Sequence, residues 1–309
     1  MTSFTEFFYP SHDGKTSIRA VEWRGEGEIR AVLQIAHGVA EYIDRYAAFA
    51  DFLCQHGIAV VGNDHLGHGG STAEGEARIY FGKKNGWQHV VDDMHSLRLE
   101  GGKRFPGIPY FLMGHSMGSF LTRSYLIRYP GSVRGAILMG TGQQSPALIK
   151  AGRLVAKAEG MRLGWDRWSP LIESIAFAPY NKQFAPNRTS HDWLSVNEEN
   201  VDRYLADPLC GEQATVGLFY EMLGGLDFIR RSENLAKMDH RRPALFISGW
   251  EDPVGDMGKG VIAACNSFRA AGVEDLTLQL YPGMRHEILN ETGKEEVYDF
   301  ILDWLNKRI

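Results

Sequence analysis

The sequence has little cysteine, no long apolar run and no concentration of positive charge, and each shortage excludes a class of protein. Its three cysteines, Cys54, Cys210 and Cys265, are far apart in 309 residues and form no CxxC pair. That spacing argues against a disulfide framework or a zinc site and suits a reducing compartment. No apolar run approaches the length of a membrane span, and the first residues do not read as a signal peptide. We therefore expect a cytoplasmic protein without a membrane span.

Charge and length narrow the class further. The formal net charge is −5, and the 33 lysines and arginines are spread along the chain, so the basic stripe of a nucleic-acid-binding protein is missing. Hydrophobic residues make up 44% of the sequence and charged residues 23%, which is ordinary for a globular protein. The length suits one large α/β domain, or one such domain that carries an insertion.

Strand-like and helix-like segments alternate through most of the chain. Two short antiparallel strands precede a series of buried strands, most of them followed by an amphipathic helix. The predicted strands are 4–9, 17–24, 31–36, 58–62, 110–113, 135–139, 243–248 and 276–280, and the predicted helices include 45–55, 87–99, 258–271 and 295–306. This alternation predicts an α/β fold with a mainly parallel sheet covered by helices on both faces.

The alternation stops between about 143 and 221. This segment has no clear buried strand and contains helical pieces that are rich in aromatic residues and separated by prolines. We interpret 143–221 as an inserted lid of short helices and not as an independent domain. Residues 1–142 and 222–309 are then the two parts of one α/β core.

The stretch around Ser116 is the strongest functional signal in the chain. An apolar run ends at Met113, Gly114-His-Ser-Met-Gly118 follows without a loop, and helical spacing of apolar residues continues beyond it. A Gly-X-Ser-X-Gly match arises by chance in a chain with 35 glycines, but chance does not supply the strand before it and the helix after it. The context predicts a nucleophile elbow, with Ser116 on a strained turn. A Cβ at Gly114 or Gly118 would clash with the neighbouring strand or helix.

A serine nucleophile needs a base and an acid, and hydrolases with this elbow supply them in the order Ser, acid, His. Asp252 follows the predicted strand 243–248, and His286 follows the last strand, so both fall at the carboxyl edge of the sheet. Asp256 is the second candidate for the acid. The alternative acid position, after the preceding strand, reads Gly-Thr-Gly over 140–142 and holds no carboxylate.

The anion formed during acyl transfer needs preformed N–H donors. One donor is expected from Met117, the residue after the nucleophile, and the other from Val39, in the loop where Gly38 lets the backbone turn. The histidines and aspartate of 64–69 have the residue types of a metal site. They have no matching ligand cluster elsewhere, so we interpret this segment as a hydrogen-bonded structural loop and expect no metal or other cofactor.

Five motifs, in order, resemble the monoacylglycerol lipase and lysophospholipase branch of the α/β-hydrolases, a group also classed with serine aminopeptidases. They are His37-Gly-X-X-Glu41 with Arg45-Tyr46, Asp64-His-X-Gly-His-Gly-X-Ser71, Gly114-His-Ser-Met-Gly118, Ser248-Gly-X-X-Asp-Pro-Val254 and Tyr281-Pro-Gly-X-X-His-Glu287. The resemblance covers nearly the whole chain. It implies an eight-stranded, mostly parallel sheet with a helical lid, a Ser116–Asp252–His286 triad, and hydrolysis of esters that carry a single acyl chain. The sequence departs from the pattern at Ala40 and Ser119, where many members have glycine.

On this interpretation the protein is a serine esterase or lipase. The expected substrate is a monoacylglycerol, a lysophospholipid or a smaller acyl ester, and the lid would contact a lipid surface only transiently. Candidate substrate-binding residues are His37, Gly38, His115, Phe177 and Tyr180. An aminopeptidase or amidase with the same triad is the nearest alternative, with Glu173, Glu198 and Glu199 available to hold an amine, and a ligand sensor on a hydrolase scaffold is a third. The sequence does not indicate an oligomeric state.

Overall fold

The computed structural model describes residues 2–309 and contains one eight-stranded sheet. Its strands are β1 (Ser3–Pro10), β2 (Ser17–Arg24), β3 (Ala31–Ala36), β4 (Ile58–Asn63), β5 (Tyr110–His115), β6 (Gly135–Met139), β7 (Ala244–Gly249) and β8 (Leu276–Tyr281). Their order is β1-β2-β4-β3-β5-β6-β7-β8. β2 runs antiparallel to both β1 and β4, and every other neighbouring pair is parallel, which confirms the predicted mostly parallel sheet.

Eleven α-helices lie within residues 2–309. They are α1 (Ala47–Gln55), α2 (Gly86–Arg104), α3 (Met117–Arg128), α4 (Pro146–Leu163), α5 (Pro170–Ala176), α6 (Ala178–Lys182), α7 (Glu198–Ala206), α8 (Val216–Ile229), α9 (Ser232–Leu235), α10 (Lys259–Ala271) and α11 (Lys294–Asn306). Short 3₁₀ turns occupy Ile43–Tyr46 and Asp192–Leu194. In the described residues, no helix combines the length and apolarity that crossing a bilayer requires.

Helix α2 extends five residues beyond the predicted end at 99. The sequence contains Gly101 and Gly102 at that point, and glycine weakens a helix interior. The helix continues because Gly101 packs directly against the ring of Tyr110, where a Cβ would overlap the aromatic carbons. A tertiary contact therefore outweighs the local preference.

The central strands bury both of their faces. Val32 of β3 and Leu112 of β5 belong to the core cluster beneath α2, α3 and α8, whereas Leu33 and Phe111, one position along, belong to the cluster beneath α1 and α11. Successive side chains of a strand point to opposite faces, so burial on both sides needs an unbroken apolar run. β3 through β7 have that composition, and every residue in each of these strands is buried.

The residues between β6 and β7, numbered 140–243 and called here the β6–β7 connection, form helices α4 to α9 and no strand of the sheet. α8 packs against α3 of the core and against α4. Its Gly225 lies against the indole of Trp87, where a Cβ would overlap the ring. The predicted end of the insertion, residue 221, falls inside α8, a helix that contacts both the core and the rest of the connection.

The close approach of α3 to β3 generates a stability prediction. A Cβ on Gly118 would overlap the carbonyl oxygen of Ala36, which is backbone and cannot rotate away. We expect Gly118→Ala to destabilise the fold by about 3 kcal/mol or more. Gly224→Ala is the control, because its Cβ would meet only Arg153, at 3.8 Å. Alanine in place of glycine stabilises a helix interior by about 0.5–1 kcal/mol, so this change should not destabilise α8. Thermal unfolding should show a lower midpoint for the first variant and an unchanged or higher one for the second; equal midpoints would contradict the packing argument.

Candidate active site

Ser116 occupies the turn between β5 and α3. Its φ of 53° and ψ of −122° lie in a region that residues with a side chain rarely adopt. The Ser116 N–H donates to the carbonyl of Met139 at 3.0 Å, and the Ser119 hydroxyl donates to the Ser116 carbonyl at 2.6 Å. Gly114 and Gly118 leave no room for a Cβ, in agreement with the prediction. Hydrogen bonds therefore hold both the N–H and the carbonyl of Ser116. The strained conformation presents the serine at the carboxyl edge of the sheet.

Asp252 and His286 meet at the same edge. The Nδ1–H of His286 donates to Oδ2 of Asp252 at 2.9 Å, and Asp252 also accepts from the Ser248 hydroxyl at 3.0 Å and the Val254 N–H at 2.9 Å. Burial raises the pKa of Asp252, but the charge of His286 and these hydrogen bonds outweigh it, so the net pKa is lowered. Asp252 is therefore a carboxylate, and it leaves Nε2 of His286 free to accept a proton.

The alternative acid is placed differently. Asp256 is exposed and its side chain has no hydrogen bond to a histidine in residues 2–309, whereas Asp252 is fully buried. The geometry thus separates two carboxylates that lie four residues apart in sequence.

A cavity of about 450 Å³ opens above Ser116. Core residues and residues of the β6–β7 connection line it together; they include Gly38, Val39, Glu41, His115, Ser116, His286 and Glu287 from the core, and Trp168, Glu173, Phe177, His191, Trp193 and Tyr204 from the connection. The ring of Trp193 lies 5.1 Å from that of His286, centroid to centroid. Within residues 2–309 the Ser116 hydroxyl makes no hydrogen bond to His286. Such bonds in hydrolases are often long or poorly aligned before a substrate binds.

Of the two residues whose amides are expected to bind an anion, Val39 lines this cavity and Met117 directly follows Ser116, which lines it. Met117 begins α3, and Val39 lies in the loop after β3 and lines the cavity. Neither N–H donates a hydrogen bond to the described part of the chain, so both are available to a ligand. An N–H at the first position of a helix also lies at the positive end of the helix dipole.

Two of the predicted substrate-binding residues, His37 and Tyr180, are not among the residues that line the cavity. His37 is fully buried; the His65 N–H donates to its Nε2 at 2.9 Å, and its Nδ1 is 2.7 Å from the Gly38 carbonyl. Tyr180 packs on Trp193 with ring centroids 5.2 Å apart and is not part of the lining. Gly38, His115 and Phe177 do line the cavity.

The loop 64–69 is built by hydrogen bonds around one aspartate. Asp64 accepts from the N–H groups of Ile43 at 3.0 Å and Gly70 at 2.8 Å, and Arg19 approaches it at 3.2 Å. Burial lowers the pKa of His65 and of His68, so both rings are neutral. No three metal-ligating side chains in residues 2–309 are placed to hold a metal ion.

The structure adds a buried charge network that the sequence analysis did not assign a role. Arg45 donates to both carboxylate oxygens of Glu287 at 2.7 Å and to Glu41 at 2.6 Å. Asn200 of α7 donates to Glu287 at 2.7 Å. Glu41, Arg45 and Glu287 all occur in the motifs quoted above, which was the available signal; the pairing itself joins residues 242 positions apart.

Comparison with known proteins relates this chain to one protein family, to characterised relatives and to solved structures. The family described as serine aminopeptidase, S33, matches residues 27–293. Monoacylglycerol lipase of Mycolicibacterium smegmatis is 26% identical over 291 residues, which cover 92% of this chain and 90% of that protein. Human monoglyceride lipase is 27% identical over 293 residues, with coverages of 93% and 86%. The crystal structure of a thermostable carboxyl esterase from Bacillus coagulans with glycerol superposes with a TM-score of 0.90 at 26% identity, covering 99% of each chain. The fold is the α/β-hydrolase fold.

The strain at Ser116 yields a prediction that does not depend on activity. Ser116→Ala and Ser116→Gly both remove the hydroxyl, but only glycine adopts a positive φ without cost. We expect the glycine variant to be more stable than the alanine variant by about 1 kcal/mol, because relief of about 1–3 kcal/mol of strain exceeds the entropic cost of glycine. Paired denaturant unfolding curves measure the difference. An alanine variant of equal or greater stability would show that the turn is not strained.

Proposed function

The chain belongs to the serine aminopeptidase S33 family of α/β-hydrolases, and on that basis we propose that it is a serine hydrolase that cleaves carboxylic esters through an acyl-serine intermediate. One observation carries the proposal: His286, hydrogen-bonded to the buried Asp252, lines the same cavity as a serine held on a strained strand-to-helix turn. An orienting acid, a base and a nucleophile are the parts that acyl transfer requires.

In the first half of the reaction, Ser116 attacks the ester carbonyl as His286 takes its proton. Asp252 holds the tautomer of His286 that leaves Nε2 free, and its charge stabilises the imidazolium that forms. The oxygen of the tetrahedral intermediate accepts hydrogen bonds from the Val39 and Met117 N–H groups. His286 then donates the proton to the leaving alcohol, and Ser116 remains acylated.

In the second half, water replaces the alcohol. His286 accepts a proton from the water as it attacks the acyl carbonyl, and the same two N–H groups bind the second oxyanion. Collapse of this intermediate breaks the bond to Ser116, which recovers its proton from His286. The ester and one water are consumed, and the products are a carboxylic acid and the alcohol.

The charges around the cavity favour an ester without a negative head group as the substrate. Four glutamates line the cavity, Glu41, Glu173, Glu212 and Glu287, and its lining includes no lysine or arginine. Arg45 compensates Glu41 and Glu287, and Arg78 pairs with Glu212. Glu173 has no cationic partner among the described residues, and its Oε2 is buried without a hydrogen bond. A monoacylglycerol or a short neutral acyl ester fits this environment better than an anionic lysophospholipid.

The carboxylate of Glu173 also supports a second candidate function. An aminopeptidase or amidase needs an acidic group to hold the amine of its substrate, and of the three lid glutamates considered from the sequence only Glu173 lines the cavity. Burial raises the pKa of Glu173, with Trp168 acting in the opposite direction. A half-buried carboxyl group with one oxygen, Oε2, that has no hydrogen bond is favourable for binding a donor, either a hydroxyl or an ammonium group.

The ester assignment is tested with p-nitrophenyl esters from acetate to long acyl chains. We expect turnover by the wild type, loss of the acyl-enzyme burst and of turnover in Ser116→Ala, and a chain-length optimum set by the cavity. Asp252→Asn should lower kcat by about 10⁴, because the histidine loses the acceptor that orients it. The matched control is Asp256→Asn, which changes a nearby exposed aspartate and should keep wild-type kcat. Activity that survives in Ser116→Ala, or a larger loss in Asp256→Asn than in Asp252→Asn, would overturn the assignment.

Substrate charge is tested with monoacylglycerol and lysophosphatidic acid of the same acyl chain. We expect wild-type kcat/KM to be about tenfold or more higher for the neutral substrate, since a like charge a few ångströms away in a protein costs about 1–3 kcal/mol. Glu173→Gln should shrink that ratio, while Glu199→Gln, on the exposed side of α7, should leave it unchanged. Aminoacyl p-nitroanilides form the third arm. Cleavage of these amides as fast as of the acyl esters, abolished by Glu173→Gln, would favour the aminopeptidase reading.

A further inference from the structure

Glu41 makes more contacts around the candidate site than any mechanistic step above requires. Its Oε1 accepts from the Gly38 N–H at 2.6 Å and from the Tyr46 hydroxyl at 2.9 Å, and it lies 3.2 Å from Nδ1 of His115. Its Oε2 accepts from Arg45 at 2.6 Å. Glu41 is 4% exposed, so this carboxylate is taken out of water and satisfied entirely by the protein.

The contact with Gly38 bears directly on the anion-binding loop. Gly38 immediately precedes Val39, whose N–H is the proposed donor, and its backbone is wedged between two side chains: a Cβ there would lie 2.7 Å from Oε1 of Glu41 and 3.1 Å from Cβ of Ser116. The Gly38 N–H is therefore held from one side by Glu41 while the loop faces the nucleophile on the other. An oxyanion donor works only if it is positioned before the charge develops.

The contact between Glu41 and Arg45 connects to the loop that carries His286. Arg45 binds Glu287, the residue after His286, through two parallel hydrogen bonds of 2.7 Å, and His115 Nε2 lies 3.2 Å from the His286 carbonyl. Bidentate arginine–carboxylate pairs fix orientation as well as distance. The loop that presents Val39 and the loop that presents His286 are thus joined through a single guanidinium.

The network places one guanidinium between two buried carboxylates, with His115 beside one of them. Burial raises the pKa of Glu41, but the hydrogen bond to His115 and the charge of Arg45 outweigh it, so the net pKa is well below its usual value. Burial lowers the pKa of His115, and the interaction with Glu41 reverses this to a net increase. Arg45 offsets part of the negative charge of Glu41 and Glu287, and the contact with Glu41 favours the protonated form of His115. Removal of one member would leave an uncompensated buried charge next to the site.

We propose that Glu41 is a positioning residue that holds the Gly38–Val39 backbone in its anion-binding conformation, and that Arg45 couples this loop to the loop of His286 through Glu287. This inference rests on the proposed function, because it assigns Glu41 a role in binding the oxyanion of that reaction. Glu41 does not touch the substrate's reacting atoms; it acts through the Gly38 N–H. A residue that only stabilises the fold would affect all substrates alike. A positioning role for Glu41 instead predicts that its loss weakens binding of the carbonyl oxygen in particular.

The test compares an oxygen ester with the thionoester in which sulfur replaces the carbonyl oxygen. Sulfur is larger and a weaker acceptor, so a well-formed pair of N–H donors favours the oxygen ester, and a misplaced donor loses that preference. In Glu41→Gln we expect kcat for the oxygen ester to fall about 10²-fold with KM changed less than about threefold. The ratio of kcat/KM for oxygen ester over thionoester should fall at least about tenfold.

Glu291→Gln is the matched control. Glu291 is equally buried and also braces a loop beside the site, accepting from the N–H groups of Val196 at 3.0 Å and Arg285 at 2.8 Å, but it does not contact 37–41. Its variant should keep the wild-type oxygen-to-sulfur ratio whatever its overall rate. If Glu41→Gln fails to fold, Arg45→Lys replaces it, since a lysine keeps the charge and cannot bridge both carboxylates.

The outcomes separate the two claims. An unchanged oxygen-to-sulfur ratio in Glu41→Gln or in Arg45→Lys, or an equal fall in Glu291→Gln, overturns the positioning role and leaves the esterase assignment intact. A wild type that cleaves neither ester overturns the proposed function itself. A fall confined to Glu41 and Arg45 variants supports the inference.

Discussion

The site depends on how closely α3 approaches β3. Gly118 rests on the carbonyl of Ala36, at the last residue of the strand that leads into the Gly38–Val39 loop. This contact fixes the distance between the start of α3 and that loop, and with it the relation between the Met117 and Val39 N–H groups. It also forces Ser116 into a backbone conformation that costs about 1–3 kcal/mol. Strain at Ser116 and proximity of the two amides are therefore consequences of one packing constraint.

A second constraint is electrostatic. Two carboxylates from opposite ends of the chain, Glu41 and Glu287, would repel each other in the low-dielectric interior, and Arg45 lies between them. Such a network adds little net stability compared with an apolar core of the same volume, because desolvation of the charges offsets their attraction. Its value lies in geometry, since each hydrogen bond has a fixed direction. Backbone packing thus positions Ser116 and Met117, and the buried charge network links the loop of His286 with the loop of Val39.

Much of the core was predictable from the sequence because its signals are local. The buried strands are short apolar runs, and the segment 110–128 combines a strand, an elbow and a helix within 19 residues, so neighbouring residues alone indicate the fold class. Local patterns are not sufficient where a contact with another element decides the outcome. Gly101 remains helical because Tyr110 packs on it, and His37, adjacent to a cavity-lining glycine, is buried and accepts a hydrogen bond from the His65 N–H. Periodicity carries no information about either contact.

For the same reason, the sequence predicts the candidate catalytic residues better than it predicts the substrate. Ser116, Asp252 and His286 lie just past the ends of strands whose order and direction are encoded locally, so their meeting follows from topology. The walls of the cavity come from the β6–β7 connection, where short helices are placed by contacts with the core, such as Asn200 on Glu287 and the Tyr204 hydroxyl on the Ala40 carbonyl at 3.2 Å. Ala40, which departs from the family pattern, has a φ of 54° and contacts the connection directly. Changes in the connection can therefore alter the cavity and the loop beside it together while the positions of Ser116, Asp252 and His286 stay fixed, so one core can carry differently shaped cavities.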